Sequence, residues 1–219
     1  SLERLKESGI ASMALSLDGA SFEHHDRFRG IAGTFERTIE AAWWAKELGI
    51  PLQVNTTVTE ETVDELPVIY ELLKGIGVMR WSLFFLIPVG RGTNLRSLTP
   101  SSCERILNWL YDLSQNSPFA IKTTEAHHFR RIAFQRMRQS GKEVDEILYH
   151  SRISGFGVND GNGVMFVSCV GEIFPSGFLP VSAGNVRKDD LTAVYRDAPL
   201  FQAMRDKDHL KGKCGLCSY

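Results

Sequence analysis

The sequence has few cysteines, no marked excess of charge of either sign and no long hydrophobic run. Only four cysteines occur in 219 residues, and the first residues do not form a secretory signal, which argues against a disulfide framework. The net charge of -1 argues against the broad basic surface that binds nucleic acids or membranes. No stretch of about 18 apolar residues is present, so no transmembrane helix is expected. We therefore predict a cytoplasmic protein with neither nucleic acid nor membrane as a partner.

The composition of the chain is that of a globular protein. Hydrophobic residues make up 43% and charged residues 23%, which are ordinary values for a chain that folds around a core. The length allows one large or two small domains. Residues 1–8 are typical of the last turns of a helix, and no initiating Met precedes them. We therefore expect the chain to be a fragment whose start lies upstream.

Apolar strands alternate with amphipathic helices through the first half of the chain. The pattern predicts three strands, over about residues 11–17, 52–58 and 80–87. A helix is predicted after each strand, and the three start signals are Thr34, a capping box of Thr62 and Glu65, and Thr99-Pro100. In the first of these helices, the helical spacing predicts that Ala42 and Trp43 face the core. Parallel strands joined by crossover helices are the simplest arrangement of this repeat.

Three such units cannot close a barrel, because the outer strands would keep exposed edges. Either the sheet is open or upstream units are missing, and the expected upstream start favours missing units. The predicted fold class is therefore α/β, a partial (β/α) barrel of three parallel βα units followed by a small α+β extension. The predicted divisions are 1–118 for the partial barrel, 119–150 for a connecting strand and helix, and 151–219 for the extension. Within the extension, a β-hairpin is predicted around Val170-Gly171, with two short helices near 190–196 and 199–205.

Polar side chains stand at the ends of the predicted strands, where parallel sheets bind ligands. Ser16 and Asp18 end the first strand and suit ribose hydroxyls or an ammonium group. Asn55 in the second strand offers a donor and an acceptor to an amino-acid end. Arg29 or Arg91 can clamp a carboxylate. A single Asn after a strand is more often a turn former, but polar groups at successive strand ends favour a binding site.

Four stretches together resemble the second half of a radical S-adenosylmethionine (SAM) enzyme core. They are Ser16-Leu17-Asp18-Gly19, the run His25 to Gly30, the run Gly33 to Thr38, and the strand that holds Asn55. The resemblance covers nearly the whole chain and implies half of a TIM-like barrel. It also implies that Ser16, Asp18 and Asn55 contact the ribose and methionine parts of SAM, that Arg29 binds the SAM carboxylate and that Ile87 lies against adenine.

The chain departs from that family at the catalytic cluster. The family holds its [4Fe–4S] cluster on a Cys-x-x-x-Cys-x-x-Cys loop, and no three cysteines here have that spacing. The resemblance therefore implies that the loop lies upstream, that the parent protein is the enzyme, and that this chain alone is inactive. It further implies a reductant such as flavodoxin or ferredoxin as a partner.

The end of the chain resembles the SPASM or twitch extension, which holds auxiliary iron–sulfur clusters. Cys214 and Cys217 form a Cys-x-x-Cys pair, and we predict that they bind metal, with an auxiliary Fe–S cluster as the implied group. Two thiolates are too few for a complete site. Cys169 is out of phase with the expected ligands, and we favour a buried strand thiol over a metal ligand there.

The substrate is less well indicated than the cofactor. The tail is most similar to that of enzymes that modify peptides or tetrapyrrole side chains, so a peptide or a small molecule is implied. Arg91, Glu125 and His128 are the candidate substrate contacts. Two alternatives are a SAM-independent α/β barrel enzyme and a non-catalytic module with a zinc-binding tail. The first requires a Lys or paired carboxylates at strand ends, which the sequence does not clearly show.

Overall fold

The structure is a computed structural model of the chain that describes residues 2–143, 159–206 and 211–216. It divides the chain into two compact units, Ser1–Leu148 and Tyr149–Tyr219. Each unit has its own secondary structure and is described by itself. None of the described helices is both long and apolar enough to cross a membrane.

The first unit is built on a sheet of four parallel strands in sequential order. The strands are β1 (Met13–Ser16), β2 (Leu52–Val58), β3 (Arg80–Phe85) and β4 (Ala120–Thr124). Each strand pairs in parallel with the next one along the chain. The predicted α/β partial barrel is confirmed, and β4 extends its sheet by a fourth parallel strand.

Within residues 2–143, six helices accompany this sheet. They are α1 (Leu2–Glu7), α2 (Phe22–Arg29), α3 (Thr34–Glu47), α4 (Leu66–Ile76), α5 (Pro100–Asn116) and α6 (His128–Gln139). Short 3-10 turns cover Val63–Glu65 and Gly90–Asn94. Helix α5 begins as its sequence predicts, with Pro100 in the first turn and the Thr99 hydroxyl accepting a hydrogen bond from Ser102 N–H at 3.2 Å.

Helices α3, α4 and α5 cover one face of the sheet. Trp81 of β3 is fully buried on that face, where its ring contacts Tyr70 of α4 and Trp109 of α5. The Trp81 indole N–H donates to the Thr56 hydroxyl at 2.8 Å, and that hydroxyl donates to the Leu17 carbonyl at 2.7 Å. Three neighbouring strands are therefore tied together beneath the helices, and the hydrogen bonds satisfy polar groups that burial would otherwise leave costly.

Two sequence predictions about these helices are wrong. Ala42 of α3 is buried as predicted, but Trp43 is 39% exposed and lies under the Lys46 ammonium. Thr62 and Glu65 do not form a capping box: the Thr62 hydroxyl donates to the Thr57 carbonyl, and the Glu65 carboxylate binds the loop after β1. Both side chains have tertiary partners that compete with the local cap.

The described part of the second unit is a small α+β arrangement. Its strands are β5 (Asn159–Asp160), β6 (Gly163–Val164), β7 (Phe166–Val167), β8 (Glu172–Phe174) and β9 (Gly184–Asn185), and its helices are α7 (Leu191–Asp197) and α8 (Pro199–Arg205). Strands β7 and β8 are antiparallel, which confirms the predicted hairpin. Phe201 of α8 is fully buried, and the Arg205 guanidinium stacks over the Tyr195 ring at 4.3 Å.

Candidate functional site

Asp18 anchors the end of β1. Its side chain is fully buried, and Oδ1 accepts a hydrogen bond from Thr57 N–H at 2.6 Å. The other oxygen, Oδ2, forms an ion pair with the Arg29 guanidinium of α2. Both carboxylate oxygens are thus held by groups of the protein. The structure brings Asp18 and Arg29 together and shows that they bind each other.

His25 is buried directly beneath this ion pair. Its Nδ1 accepts a hydrogen bond from Asp18 N–H at 3.0 Å, so the imidazole is neutral and carries its proton on Nε2. Burial lowers the pKa of His25, and the nearby Asp18 charge only partly opposes that effect. Phe35 of α3 packs edge-on against the imidazole, with 6.0 Å between ring centroids. A histidine that had no predicted role therefore fixes the backbone at Asp18.

The loop that follows Asp18 is pinned from a second side by Glu65. Its Oε2 accepts from Ala20 N–H at 2.9 Å, and its Oε1 lies 2.8 Å from His24 Nδ1. Burial alone would raise the pKa of Glu65, but these hydrogen bonds lower it. Gly19 lets α2 approach the loop, because a β-carbon at that position would lie 2.4 Å from His25 N. The requirement for glycine here is a close backbone approach.

Asp26 joins α2 to the start of α3. Its carboxylate accepts hydrogen bonds from Phe35 N–H and the Thr34 hydroxyl, each at 2.8 Å, and from Gly33 N–H. Burial alone would raise its pKa, but these donors lower it. His25, Asp26 and Arg29 therefore each have an identifiable structural role. The run from His25 to Gly30 therefore binds both the residues that follow β1 and the start of α3.

Helix α2 itself was not predicted. The Ser21 side chain accepts a hydrogen bond from His24 N–H at its start, and Gly30 at φ 73° ends it. Ser21 and Gly30 are the two sequence signals that could have predicted the start and the end of this helix. The helix has almost no apolar stripe, so hydrophobic periodicity does not reveal it.

Ser16, Asn55, Ser82 and Lys122 lie side by side across the four strands, in that register; we call them the polar row. Side chains alternate along a strand, so the row faces away from Trp81 and the helices that cover it. Ser16 and Asn55 are half-buried, and Lys122 is exposed. The structure places Ser16 beside Asn55, but Asn55 lies in the middle of β2 and not at the strand end where the sequence analysis placed it. Ser82 and Lys122 were not predicted as members of the row.

Hydrogen bonds connect Asn55 of the polar row to two side chains nearer the start of β2 and β3. Asn55 Oδ1 accepts from Gln53 Nε2 at 2.8 Å, and Gln53 Oε1 accepts from an Arg80 Nη1 donor at 3.4 Å. Arg80 is the first residue of β3 and shares the face of the polar row. The Ser82 hydroxyl is buried, and it has no hydrogen-bond partner among the described residues. Buried polar atoms normally have a partner, so this hydroxyl is an exception among the polar atoms of the sheet.

The remaining predicted contacts follow the carboxyl ends of β3 and β4. Ile87 is half-buried just beyond β3, where Leu86 N–H still donates to the Val58 carbonyl at 3.3 Å. Glu125 is exposed after β4 at a left-handed φ of 60°, and His128 is exposed at the start of α6. Arg91 lies in the 3-10 turn Gly90–Asn94, and its side chain is outside the described part of the structure.

The polar row and its surroundings fit the polar and apolar parts of SAM. Ser16 and Asn55 offer donors and acceptors at the height where β1 ends, and Ile87 offers an apolar surface. The unpaired Ser82 hydroxyl shows that the face has unused hydrogen-bonding capacity. Asp18 fits a different role, because its carboxylate is already occupied by Thr57 and Arg29. It positions the strand end and the guanidinium.

The cysteines are distributed over both units. Cys103 of α5 is half-buried, and burial raises the pKa of its thiol. Cys169 is exposed in the turn between β7 and β8, so the predicted burial is wrong; a hairpin turn was mistaken for strand. Cys214 ends a 3-10 turn at Gly212–Cys214, whereas its side chain and all of Cys217 lie outside the described residues. No group of three metal-binding side chains occurs within residues 2–143, 159–206 and 211–216.

Comparison with known proteins gives a consistent set of matches. A family model described as the Radical SAM superfamily matches residues 1–73. An AdoMet-dependent heme synthase from Methanosarcina barkeri is 38% identical over 218 residues, which are 100% of this chain and 62% of that protein. An Fe-coproporphyrin III synthase from the same organism is 26% identical over 203 residues, 89% of this chain and 51% of that protein. The chain therefore spans between half and two thirds of the length of these curated relatives.

A solved structure shares the fold at lower identity. Streptococcus suis SuiB bound to S-adenosylmethionine superposes with a TM-score of 0.68 at 18% identity, covering 94% of this chain and 47% of SuiB. SuiB has also been solved bound to its precursor peptide SuiA. At this identity the likeness shows a common fold.

Proposed function

The chain belongs to the radical SAM superfamily, and from that membership we propose that the whole protein cleaves SAM reductively to start radical chemistry on a tetrapyrrole. In such enzymes a [4Fe–4S] cluster would supply the electron for reductive cleavage of SAM, and in this chain Ser16, Asn55 and Arg29 would hold the SAM molecule beside the substrate. The electron comes from a reductant of the flavodoxin or ferredoxin class. The Cys-x-x-x-Cys-x-x-Cys loop of that cluster is not in this sequence, so this chain alone is proposed to be inactive.

The choice of a tetrapyrrole rests on one observation. The match to an AdoMet-dependent heme synthase extends over 100% of this chain at 38% identity, whereas the likeness to a peptide-binding enzyme is one of fold at 18% identity. A substrate class is better supported by the relative that shares more residues along the whole chain.

Within the chain, we assign different roles to the residues of the candidate site. Ser16 and Asn55 bind the polar part of SAM directly, and Ile87 lies against its adenine. Arg29 presents its remaining donors to the SAM carboxylate. Asp18 acts as a positioning residue through its ion pair with Arg29.

The Cys-x-x-Cys pair at the end of the chain belongs to the same proposal. Cys214 and Cys217 contribute ligands to an auxiliary iron–sulfur cluster, together with cysteines elsewhere in the whole protein. Arg91, Glu125 and His128 remain proposed substrate contacts. A zinc site at this Cys pair is the alternative that metal analysis separates from a cluster.

The decisive experiment is formation of 5′-deoxyadenosine by the full-length protein. The protein is reconstituted anaerobically with iron and sulfide, reduced with dithionite and incubated with SAM, with or without Fe-coproporphyrin III. We expect 5′-deoxyadenosine by mass spectrometry, with a higher yield and a modified porphyrin when Fe-coproporphyrin III is present. No 5′-deoxyadenosine under either condition would contradict the proposed reaction, and stimulation by peptides alone would contradict the substrate class.

A further inference from the structure

The face of the sheet that carries the polar row has two positively charged side chains that form no ion pair within the described part of the chain. Arg80 and Lys122 lie on this face in the neighbouring strands β3 and β4, where Lys122 pairs with Ser82, two residues after Arg80. Neither forms an ion pair with any described residue, although seven ion pairs occur in the described part of the chain. Among the described residues, the hydrogen-bond partner of the Arg80 guanidinium is the neutral Gln53 amide. This face therefore carries a local excess of positive charge.

The Ser82 hydroxyl lies at the centre of this charged region. Ser82 pairs in register with Lys122 on one side and with Asn55 on the other, and Arg80 precedes it by two residues on the same face. Strand spacing places the Lys122 β-carbon about 5 Å away and the Arg80 β-carbon about 7 Å away. Ser82 is only 1% exposed, and its hydroxyl has no partner among the described residues. An exposed lysine alone is commonplace; a buried, unpaired hydroxyl beside it is not.

We propose that Arg80, Ser82 and Lys122 form a carboxylate-binding subsite for the substrate. A carboxylate has two acceptor oxygens, which match the serine O–H and the lysine ammonium, with the guanidinium as a second positive charge. This inference rests on the proposed function, because it assigns the subsite to the substrate of that reaction. Coproporphyrin carries a propionate carboxylate on each pyrrole ring and so supplies the required group.

The geometry favours the substrate over SAM as the source of the carboxylate. Asn55, the proposed SAM ligand, is two strands from Lys122, a distance of roughly 10 Å. Arg29, the proposed partner of the SAM carboxylate, lies on the other side of Asn55, where it binds Asp18 at the end of β1. The substrate must lie beside SAM for hydrogen transfer, and the Ser82–Lys122 half of the polar row is the neighbouring position.

The test is equilibrium binding to the full-length, cluster-loaded protein without reductant. Fe-coproporphyrin III binding is followed by its Soret absorbance, and SAM binding by equilibrium dialysis, for the wild type and for Lys122→Gln, Lys122→Arg and Arg80→Gln. Lys188→Gln is the control, since Lys188 is exposed in the second unit and its loss changes the net charge equally. We expect Lys122→Gln to weaken Fe-coproporphyrin III binding about tenfold or more, Lys122→Arg to retain most of the affinity, and SAM affinity to change by less than about twofold.

Ser82→Ala separates binding from folding. Removing a buried hydroxyl that has no partner leaves the midpoint of thermal unfolding unchanged or raised, whereas porphyrin affinity falls. A lower midpoint with unchanged porphyrin affinity would show that the hydroxyl serves the fold and would overturn the proposal.

The other outcomes are equally decisive. Unchanged porphyrin affinity in Lys122→Gln, weaker SAM binding in its place, or no porphyrin binding by the wild type would each overturn the carboxylate subsite. Because binding needs no radical chemistry, a protein that binds the porphyrin through Lys122 but forms no 5′-deoxyadenosine would contradict the proposed reaction and leave the subsite supported.

Discussion

At the scale of single residues, the site is organised by the Asp18 carboxylate, whose partners are groups of the protein itself. Asp18 is held by Thr57 N–H and by Arg29, and its own N–H is held by His25. A buried charge is tolerated only when it is paired and hydrogen-bonded. The conformation of the β1 end therefore depends on partners from β2 and α2.

We predict that Asp18→Asn destabilises the protein. The substitution keeps an acceptor for Thr57 N–H but removes the charge that pairs with Arg29. Because the Arg29 side chain is 36% exposed, the stranded guanidinium can still reach water, and we expect a loss of about 1–3 kcal/mol in the free energy of unfolding. Urea unfolding of Asp18→Asn measures it, with the exposed Asp64→Asn as control. Equal stability of the two variants would refute a structural role for this ion pair.

The buried His25 predicts a dependence of stability on pH. Burial lowers its pKa in the folded state below the usual 6.5, so the unfolded chain binds the proton more tightly. Stability is therefore full above pH 6.5 and decreases as the pH falls from 6.5 towards the lowered folded-state pKa. Asp26 and Glu65 also have lowered pKa values, but their usual values of 3.8 and 4.5 place their effect at more acidic pH.

The measurement is the midpoint of thermal unfolding at about pH 7.5 and about pH 5.5. We expect the midpoint of the wild type to decrease more over this interval than that of His25→Asn. The asparagine amide oxygen can accept from Asp18 N–H but does not titrate. Identical decreases in the two proteins would exclude His25 as the source.

At the scale of elements, the loop between β1 and α2 must be closely packed. Gly19→Ala places a methyl group 2.4 Å from His25 N, so α2 has to move away from β1. We expect a large loss of stability, about 2 kcal/mol or more, together with weaker SAM binding in the full-length protein. Gly75→Ala is the matched control, since Gly75 lies in α4 with nothing within 4 Å, and alanine there should stabilise the helix by up to about 1 kcal/mol. Similar effects of the two substitutions would contradict this account of the loop.

Elements with a strong apolar signal were predictable from the sequence, and those fixed by tertiary partners were not. The strand that contains Val54 follows from alternating buried positions, the strand that contains Trp81 from a mostly buried run, and helix α5 from its Thr99 cap. Helix α2 has no apolar stripe and depends on caps and on Asp18. The predicted cap at Glu65 fails because Ala20 and His24 compete for the carboxylate.

The candidate site shows the same division. Ser16 and Asn55 were predictable because both stand in strands and interrupt apolar runs. Ser82 and Lys122 were not, because only the register of β3 and β4 places them beside Asn55. Sequence alone indicates which residues are polar and that successive strands are parallel, but it does not give the register in which those strands pair.

At the scale of the whole molecule, the Cys pair at the end of the chain predicts the metal content. If Cys214 and Cys217 are ligands of an auxiliary cluster, replacing both by Ser in the full-length protein should lower its iron and acid-labile sulfide by about four atoms each. Iron and sulfide assays after anaerobic reconstitution measure this, with Cys103→Ser, a half-buried thiol of α5, as control. Stoichiometric zinc in place of iron at this pair would support the zinc-tail alternative.

The central claim is that Ser16 at the end of β1 and Asn55 in the middle of β2 bind SAM. Its most direct test is the dissociation constant for SAM of the full-length, cluster-loaded protein carrying Asn55→Ala or Ser16→Ala, with the exposed Asn116→Ala as control. The account predicts that SAM binding weakens about tenfold in Asn55→Ala, the effect of losing one or two buried hydrogen bonds, weakens less in Ser16→Ala and does not change in the control. Unchanged SAM affinity in both strand variants would contradict it.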